Sequence, residues 1–595
     1  MAAYRGQILV VDLSKGKIDT LETSPAISAQ FLGGSGFAAR FLYEHLDQGV
    51  DPLGPENMLL FMTGPLTGTL APCTGRHVVC GKSPLTNIWG ESHAGGHFGA
   101  SLKFSGFDGI LIRGRAASPV TLQIDSGTGV LSPAVDLWGK MTGPTQNELK
   151  ERLGRVQVCC IGPAGENLVR FASIVTDERV SARCGLGAVM GSKNLKAITV
   201  AGNEKVLLHS PDEFRELAQE SRETLREAMP MLSDQGTAMY VDIGMMFNDM
   251  PIKYFQEIEF DEVDQINAKA MEKILTGRSA CYSCPIGCGR KVSVKDYGLN
   301  DVAGPEYQTI ASFGSNMLIS DLPKIALMNN LCNQYGMDTI SCGSTIAFAT
   351  YLCDINVADY GFTWANPDKV IETIHAIAKR EGIGDLLADG SLAVAKKYSR
   401  EDIVLQVRGM EIPNHDPRAF SGMATVYSIA SRGASHMEGD MYSVDMGADV
   451  RAVGIISGDR LENDGKGVVA AKAQDFRAFF DSVIMCQFAF VPPETIINLL
   501  NLAIGTSYRI DDVLKIGARS VTIKRLFNLK CGLKTSDEKL PRPLLIPHPD
   551  SVTEDFIPDV NAQLDEYYEY RKWDRKTGRP SDAALEELGL TGLNS

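Results

Sequence analysis

The chain has no uninterrupted apolar run near the roughly 18–20 residues of a membrane-spanning helix, so no span is expected. It lacks a basic excess. Its 58 Lys and Arg stand against 73 Asp and Glu, a formal charge of −15. That balance excludes a general binder of nucleic acid or anionic membrane, both of which require basic surface. Short-period repeats and low-complexity tracts are absent, which excludes solenoid arrays and long disordered linkers. The start, MAAYRGQILVVDLSKGKIDTL, has no twin-arginine pair, and its apolar part, Ile8–Val11, is too short for a signal sequence. The reading therefore places the protein in the cytoplasm. Thirteen cysteines in 595 residues fall short of disulfide density. In a reducing compartment they are core fillers, metal ligands or catalytic thiols.

What the chain does have is ordinary globular composition, 44% hydrophobic and 22% charged. At about 100–200 residues per domain, the length suits three or four domains and a core able to enclose a large cofactor. The order of elements predicts an α+β fold. Residues 1–204 read as short β-type runs (ILVVDL, NMLLFMTG, HVVCGK, GILIRGR, VTLQI, VQVCCIG, RFASIVT) broken by glycine, with short helices at Pro25–Gly33 and Gly143–Leu153. Antiparallel sheets are expected there, and a first hairpin turning at Ser14–Lys15–Gly16. At Ser210 the character changes. Ser210 as N-cap, Pro211 at the first helical position and an acidic first turn open a helix. Two mainly helical domains follow, 205–410 and 411–595, divided near the β-like DIVLQVRGMEIPNHDPR.

The segment CYSCPIGC, Cys281 to Cys288, places three cysteines within eight residues, with Pro285 and Gly287 to turn the chain. Most of the other cysteines, Cys73, Cys80, Cys159, Cys160, Cys332, Cys342, Cys353 and Cys531, read as small buried hydrophobes. For the trio, zinc would call for a tetrahedral set, commonly two close pairs, and no second CxxC is present. Iron–sulfur ligation by three near thiolates and a remote one fits the spacing best. Cys486, on the helical run that includes DSVIMC, and Cys531 both remain open as the fourth ligand on spacing alone.

A wider set of segments carries a family resemblance: GPLTGT (Gly64–Thr69), TGR (Thr74–Arg76), ESHAGGHFGA (Glu91–Ala100), ARCGLGAVMGSKNLKA (Ala182–Ala197), ACYSCPIGCGR (Ala280–Arg290), GPEY (Gly304–Tyr307), YGMDTIS (Tyr335–Ser341), HDPR (His415–Arg418), SRGASHMEGD (Ser431–Asp440) and DSVIMC (Asp481–Cys486). In these the chain resembles the tungsten-containing aldehyde:ferredoxin oxidoreductases over essentially its whole length. The resemblance implies a β-rich N-terminal pterin-binding base under two helical domains. It implies one tungsten, or molybdenum, held by the dithiolenes of two pterins, with a 4Fe–4S cluster nearby. The cluster ligands would be Cys281, Cys284, Cys288 and Cys486, which selects Cys486 over Cys531. Pterin contacts would fall at Arg76, Gly95, Arg183, Leu186, Asn333, Met337, Asp338, Glu438, Asp481 and Met485. The backbone carbonyls of His93 and Cys184 would bind a magnesium ion bridging the pterin phosphates. Glycine-rich loops suit such groups, because they permit close backbone approach and many N–H donors.

The family carries D-x-x-G-L-(D/C) twice; here the copies read NQYGMD and DSVIMC. Asn333 replaces an Asp and Ile484 a Gly. Glu306 matches an active-site glutamate and His436 an active-site histidine. In aldehyde oxidation they would serve as general base and as donor to the developing oxyanion. His415 stands where some relatives have a tyrosine and is a candidate determinant of substrate choice. The helix LMNNLCNQY lacks the E-x-x-H of the family's intersubunit iron site, so no such iron is expected. The implied partners are a small aldehyde, a ferredoxin-like acceptor and, in some assemblies, further copies of the chain. Two other readings stand beside this one: the catalytic subunit of a class II benzoyl-CoA reductase-type complex, and an electron-relay subunit without pterin. The Glu306–His436 pair favours the aldehyde reading over the first, and the pterin segments oppose the second.

Overall fold

The computed structural model describes residues 2–548, 551–553 and 555–593. The N-terminal region contains two six-stranded sheets. The first comprises β1 (Gln7–Asp12), β2 (Lys17–Glu22), β3 (Leu59–Met62), β4 (His77–Lys82), β5 (Trp89–Ala94) and β6 (Gly109–Arg113), in the order β2-β1-β6-β3-β4-β5. The second comprises β7 (Val120–Asp125), β8 (Thr128–Pro133), β9 (Gln157–Cys160), β10 (Ile174–Thr176), β11 (Arg179–Ser181) and β12 (Leu195–Ala201), in the order β11-β10-β9-β12-β7-β8. The anticipated first hairpin is present, with Asp12 opposite Lys17 and Gly16 at φ +61°.

Alternation along the strands divides the buried residues between two cores. Leu9, Val11, Phe61, Val79 and Ile110 share one core with Leu122, Ile124, Cys159 and Ile198 of the second sheet, so the two sheets pack against each other. Leu60, Met62 and Val78 face the other way, onto Phe37 and Leu42 of the helix Gly34–His45 and Ile523 and Phe527 of the helix Ile510–Lys530. The C-terminal region is thereby clamped onto the base.

One expectation is corrected, and two elements were not read from the sequence. The sheets are mixed, because β1 pairs parallel with β6 and β7 parallel with β12; crossovers through the intervening helices permit this. The strand WGESHA was not legible, since it shows no apolar alternation. The cysteine segment is the loop between two strands of a three-stranded antiparallel sheet set among helices: β13 (Leu275–Ser279), β14 (Gly289–Val294) and β15 (Leu299–Ala303).

Beyond Pro211 most of the chain is helical. Ser210 occupies the N-cap position of Pro211–Ala228, but its side chain makes no cap hydrogen bond. The helices Leu322–Tyr335 and Lys466–Val483 end alike. Gly336 and Ile484 take left-handed conformations, and the next N–H, of Met337 or Met485, returns to the carbonyl of Cys332 or Phe480. The two family-like segments are thus one local structure used twice. Cys486 lies just past its helix rather than on it.

Candidate cofactor site

The ladder of β13 and β14 ends at Ser279 opposite Gly289, and residues 280–288 form the loop beyond it. Ser283 and Gly287 adopt positive φ, which folds the loop back on itself. Cys486 arrives from the far end of the chain and is fastened from below: its N–H donates to the carbonyl of Cys73 at 3.0 Å. Cys73 in turn donates its N–H to the carbonyl of Ser283 at 3.0 Å. Cys281, Cys284, Cys288 and Cys486 therefore face one cavity of about 370 Å³, shared with Arg76, Glu306 and His436.

The thiols differ in electrostatics. Cys284 accepts from Cys73 and from the N–H groups of Ile286 and Gly287, which outweighs burial and brings its pKa to about 6. Burial raises the pKa of Cys288 and of Cys486. Burial opposes the charge on Arg179, but the surrounding Cys281, Glu306, Cys288 and Cys486 outweigh it and raise the Arg179 pKa. The Arg76 guanidinium lies 3.7 Å from the Cys486 sulfur.

Glu306 occupies the N-cap position of the helix Tyr307–Phe313, so its side chain projects from a helix end into the cavity. One carboxylate oxygen accepts from the Thr237 hydroxyl and the other lies 3.5 Å from Arg179 Nη1. His436 is half-buried, and its Nδ1, itself buried, has no hydrogen-bond partner among the described residues. Burial, reinforced by His415, Arg183 and Arg432, holds its pKa well below the ordinary histidine value, so the ring is neutral. His415 does not line the cavity. It stacks on Tyr442 with ring centres 4.3 Å apart, directs Nδ1 to Asp249 Oδ2 at 2.6 Å, and stands 5.4 Å from the His436 ring.

A second cavity of about 290 Å³ adjoins the first and shares Arg76, His93, Gly95, Arg183 and Glu306 with it. Asn333, Met337 and Asp338 line the second cavity, and Asp481 and Met485 the first. Asp338 caps the helix Thr339–Asp354 through the N–H groups of Ile340 and Ser341, and Arg183 Nε lies 3.2 Å from it. Asp481 lies 3.4 Å from His93 Nε2, which also contacts Glu91 at 2.7 Å. Burial opposes ionisation of Glu91, yet Lys524, His93 and Arg432 hold its pKa well below the usual carboxylate range. Glu438 lies against Arg432, 3.0 Å away, in a small side chamber that Asp481 also lines.

Most sequence-predicted residues therefore converge. Three line neither of the two cavities: Leu186 is fully buried in the core of the base, Cys184 points its thiol at the Glu91 carbonyl, and Glu438 lines only the side chamber. Cys73, expected as a core filler, is buried in an apolar core and also lines the main cavity, with its sulfur 3.8 Å from that of Cys284. Arg179, Thr237, Gln308 and Lys524 were missed. None sits in a cysteine or glycine motif, and each is recruited by tertiary contact.

The donor set suits redox cofactors. Four thiols surround one space, Nδ1 of His436 and Nε2 of Gln308 are buried without partners among the described residues, and Gly95 leaves room where a Cβ would strike the Cys281 sulfur. These features suit an oxidoreductase whose cofactors would lie between a β-rich base and helical caps. The chain belongs to the aldehyde ferredoxin oxidoreductase family. Its N-terminal-domain model matches residues 8–202 and the model of domains 2 and 3 matches residues 215–590. The tungsten-containing aldehyde ferredoxin oxidoreductases of Pyrococcus horikoshii and Pyrococcus abyssi are each 37% identical to it, over 99% of both chains. The WOR-like subunit of an aliphatic sulfonate oxidoreductase from Pyrococcus furiosus is 31% identical, over 99% of this chain and 97% of that one. Among solved structures, the active-site complex BamBC of benzoyl coenzyme A reductase with 1,5-dienoyl-CoA superimposes with a TM-score of 0.87 at 26% identity, covering 100% of this chain and 98% of that one. Among the described residues, no helix is long and apolar enough to cross a membrane.

Proposed function

We propose that the chain oxidises aldehydes to carboxylic acids and passes the two electrons, one at a time, to a ferredoxin or ferredoxin-like protein. The observation that carries this reading is the convergence of Glu306, His436 and four cysteines on a single cavity. Cys281, Cys284, Cys288 and Cys486 would hold a 4Fe–4S cluster. Arg183, Asn333, Met337 and Asp338 would hold one pterin, and Asp481, Met485 and Glu438 the other, with Arg76, His93 and Gly95 between them. Leu186 would contribute through its backbone, and the carbonyls of His93 and Cys184 would bind magnesium. The bound tungsten, or molybdenum, supplies Lewis acidity and a two-electron sink.

The remaining chemistry belongs to side chains of this chain. Aldehyde and water yield acid, two protons and two electrons. Glu306 accepts a proton from water or from the hydrated aldehyde, and Thr237 and Arg179 fix its orientation. The neutral His436 ring donates to the developing oxyanion. Its depressed pKa keeps it from adding a cationic charge to the site. Arg179, between Glu306 and the thiols, offsets the negative charge gathered there.

The test is anaerobic purification of the intact enzyme, metal analysis and aldehyde-dependent viologen reduction. Tungsten or molybdenum near one per chain, with aldehyde-dependent turnover, is the expected result. Turnover with a dienoyl-CoA and none with aldehydes would replace the reading with a ring-reductase one. Iron without either heavy metal would reduce the chain to an electron relay.

A further inference from the structure

A fifth thiol stands among the four proposed ligands. Cys73 is buried, lines the cavity, and places its sulfur 3.8 Å from that of Cys284. Its backbone ties the two halves of the ligand set together: its N–H holds Ser283 in the cysteine loop, and its carbonyl holds the N–H of Cys486. With both sides fastened, the direction of its Cα–Cβ bond is set. That position is strained, since Cys73 has φ +61°, a conformation in which glycine or asparagine would sit more easily. The residue that occupies it presents a thiol to the cluster loop.

The sulfur–sulfur distance decides between roles. A disulfide requires about 2.05 Å, so the pair is not bonded. At 3.8 Å the contact is that of a thiol hydrogen bond. A sulfur that ligates iron is a thiolate and accepts only. The donor must then be Cys73. The N–H groups of Ile286 and Gly287 also face the same sulfur. Hydrogen bonds to cluster sulfurs stabilise the more negative, reduced state and raise the reduction potential.

We propose that Cys73 is a positioning residue for the iron–sulfur cluster, and that its S–H donates to the Cys284 sulfur and raises the cluster's reduction potential. The inference rests on the cluster reading above. It concerns the cluster's one-electron couple and needs no additional reactant.

The experiment compares anaerobically purified intact wild type, Cys73→Ala and Cys73→Ser. Alanine keeps the Cβ and the backbone strain while removing the donor; serine restores a donor. Iron and acid-labile sulfide are measured first, then the cluster midpoint by EPR-monitored titration, then proton couplings by ENDOR before and after exchange into D₂O. All three proteins are expected to hold about four iron atoms per chain. Cys73→Ala shifts the midpoint to lower potential and loses one exchangeable proton coupling, and Cys73→Ser recovers both in large part. An intact Cys73→Ala cluster with an unmoved midpoint overturns the inference alone. Loss of iron confined to Cys73→Ala also overturns it, by making Cys73 a ligand. Wild type free of iron and sulfide overturns the cluster reading itself, and the inference with it.

Discussion

Gly95 approaches Cys281 so closely that a Cβ added to the glycine would lie 2.6 Å from the thiol sulfur. This contact joins the end of β5 to the cysteine loop, across nearly 190 residues of sequence. Gly95→Ala is therefore expected to displace Cys281 and lower the iron content several-fold while far-UV circular dichroism stays unchanged. Wild-type iron in the alanine variant would show that the loop tolerates the shift.

Glu306 is held by Thr237 and Arg179 and faces the same cavity as His436. Glu306→Gln keeps the shape and removes the base. The turnover number should fall by about 10²–10⁴ with metal and iron content intact. A loss confined to KM would assign the carboxylate to substrate binding instead.

His77 is buried between Phe61 and Phe98, and neither ring nitrogen has a partner among the described residues. Burial, with Arg76 and His93 nearby, depresses its pKa from 6.5 to about 3. Below pH 6.5 the unfolded chain takes up a proton that the native chain refuses. Stability therefore falls as the pH drops from 6.5 towards 3, and this penalty reaches about 2 kcal/mol at pH 5. His77→Phe should remove that part of the acid loss, read as the change in denaturation midpoint between pH 7.5 and pH 5. His436 acts in the same direction, so a residual slope remains.

Ile484 carries a β-branched side chain at φ +59°, where its counterpart Gly336 is a glycine. Relief of that strain in Ile484→Gly stabilises by about 1–2 kcal/mol. Ile484 is fully buried, however, and packs in the core with Leu42, Trp89 and Phe527. Loss of such a side chain costs about 2–5 kcal/mol. Packing wins, and the variant should be less stable by about 1–3 kcal/mol in equilibrium unfolding. A more stable variant would mean that the core closes around the gap.

Much of the base was legible because its strands are apolar runs bounded by glycine, and that pattern is local. HVVCGK and GILIRGR became β4 and β6 as expected. WGESHA did not read as a strand because its buried polar groups are satisfied from afar. Glu91 is met by Lys524 and Arg432, more than 300 residues downstream. The hairpin that carries the cysteine loop was hidden for a related reason: TGRS has no strand-like alternation, and its pairing with Gly289–Lys291 depends on the loop closing between them.

The sequence by itself determined the chemistry on offer: three thiols in a tight turn, an acid, a histidine and the glycines that allow close approach. These are properties of residue type and short spacing. Tertiary structure alone decided which of thirteen cysteines share a cavity, that Cys73 is among them, and that Arg179 stands between the thiols and Glu306. Those outcomes depend on distances between residues hundreds of positions apart, and only the packing of the helical regions onto the base sets them.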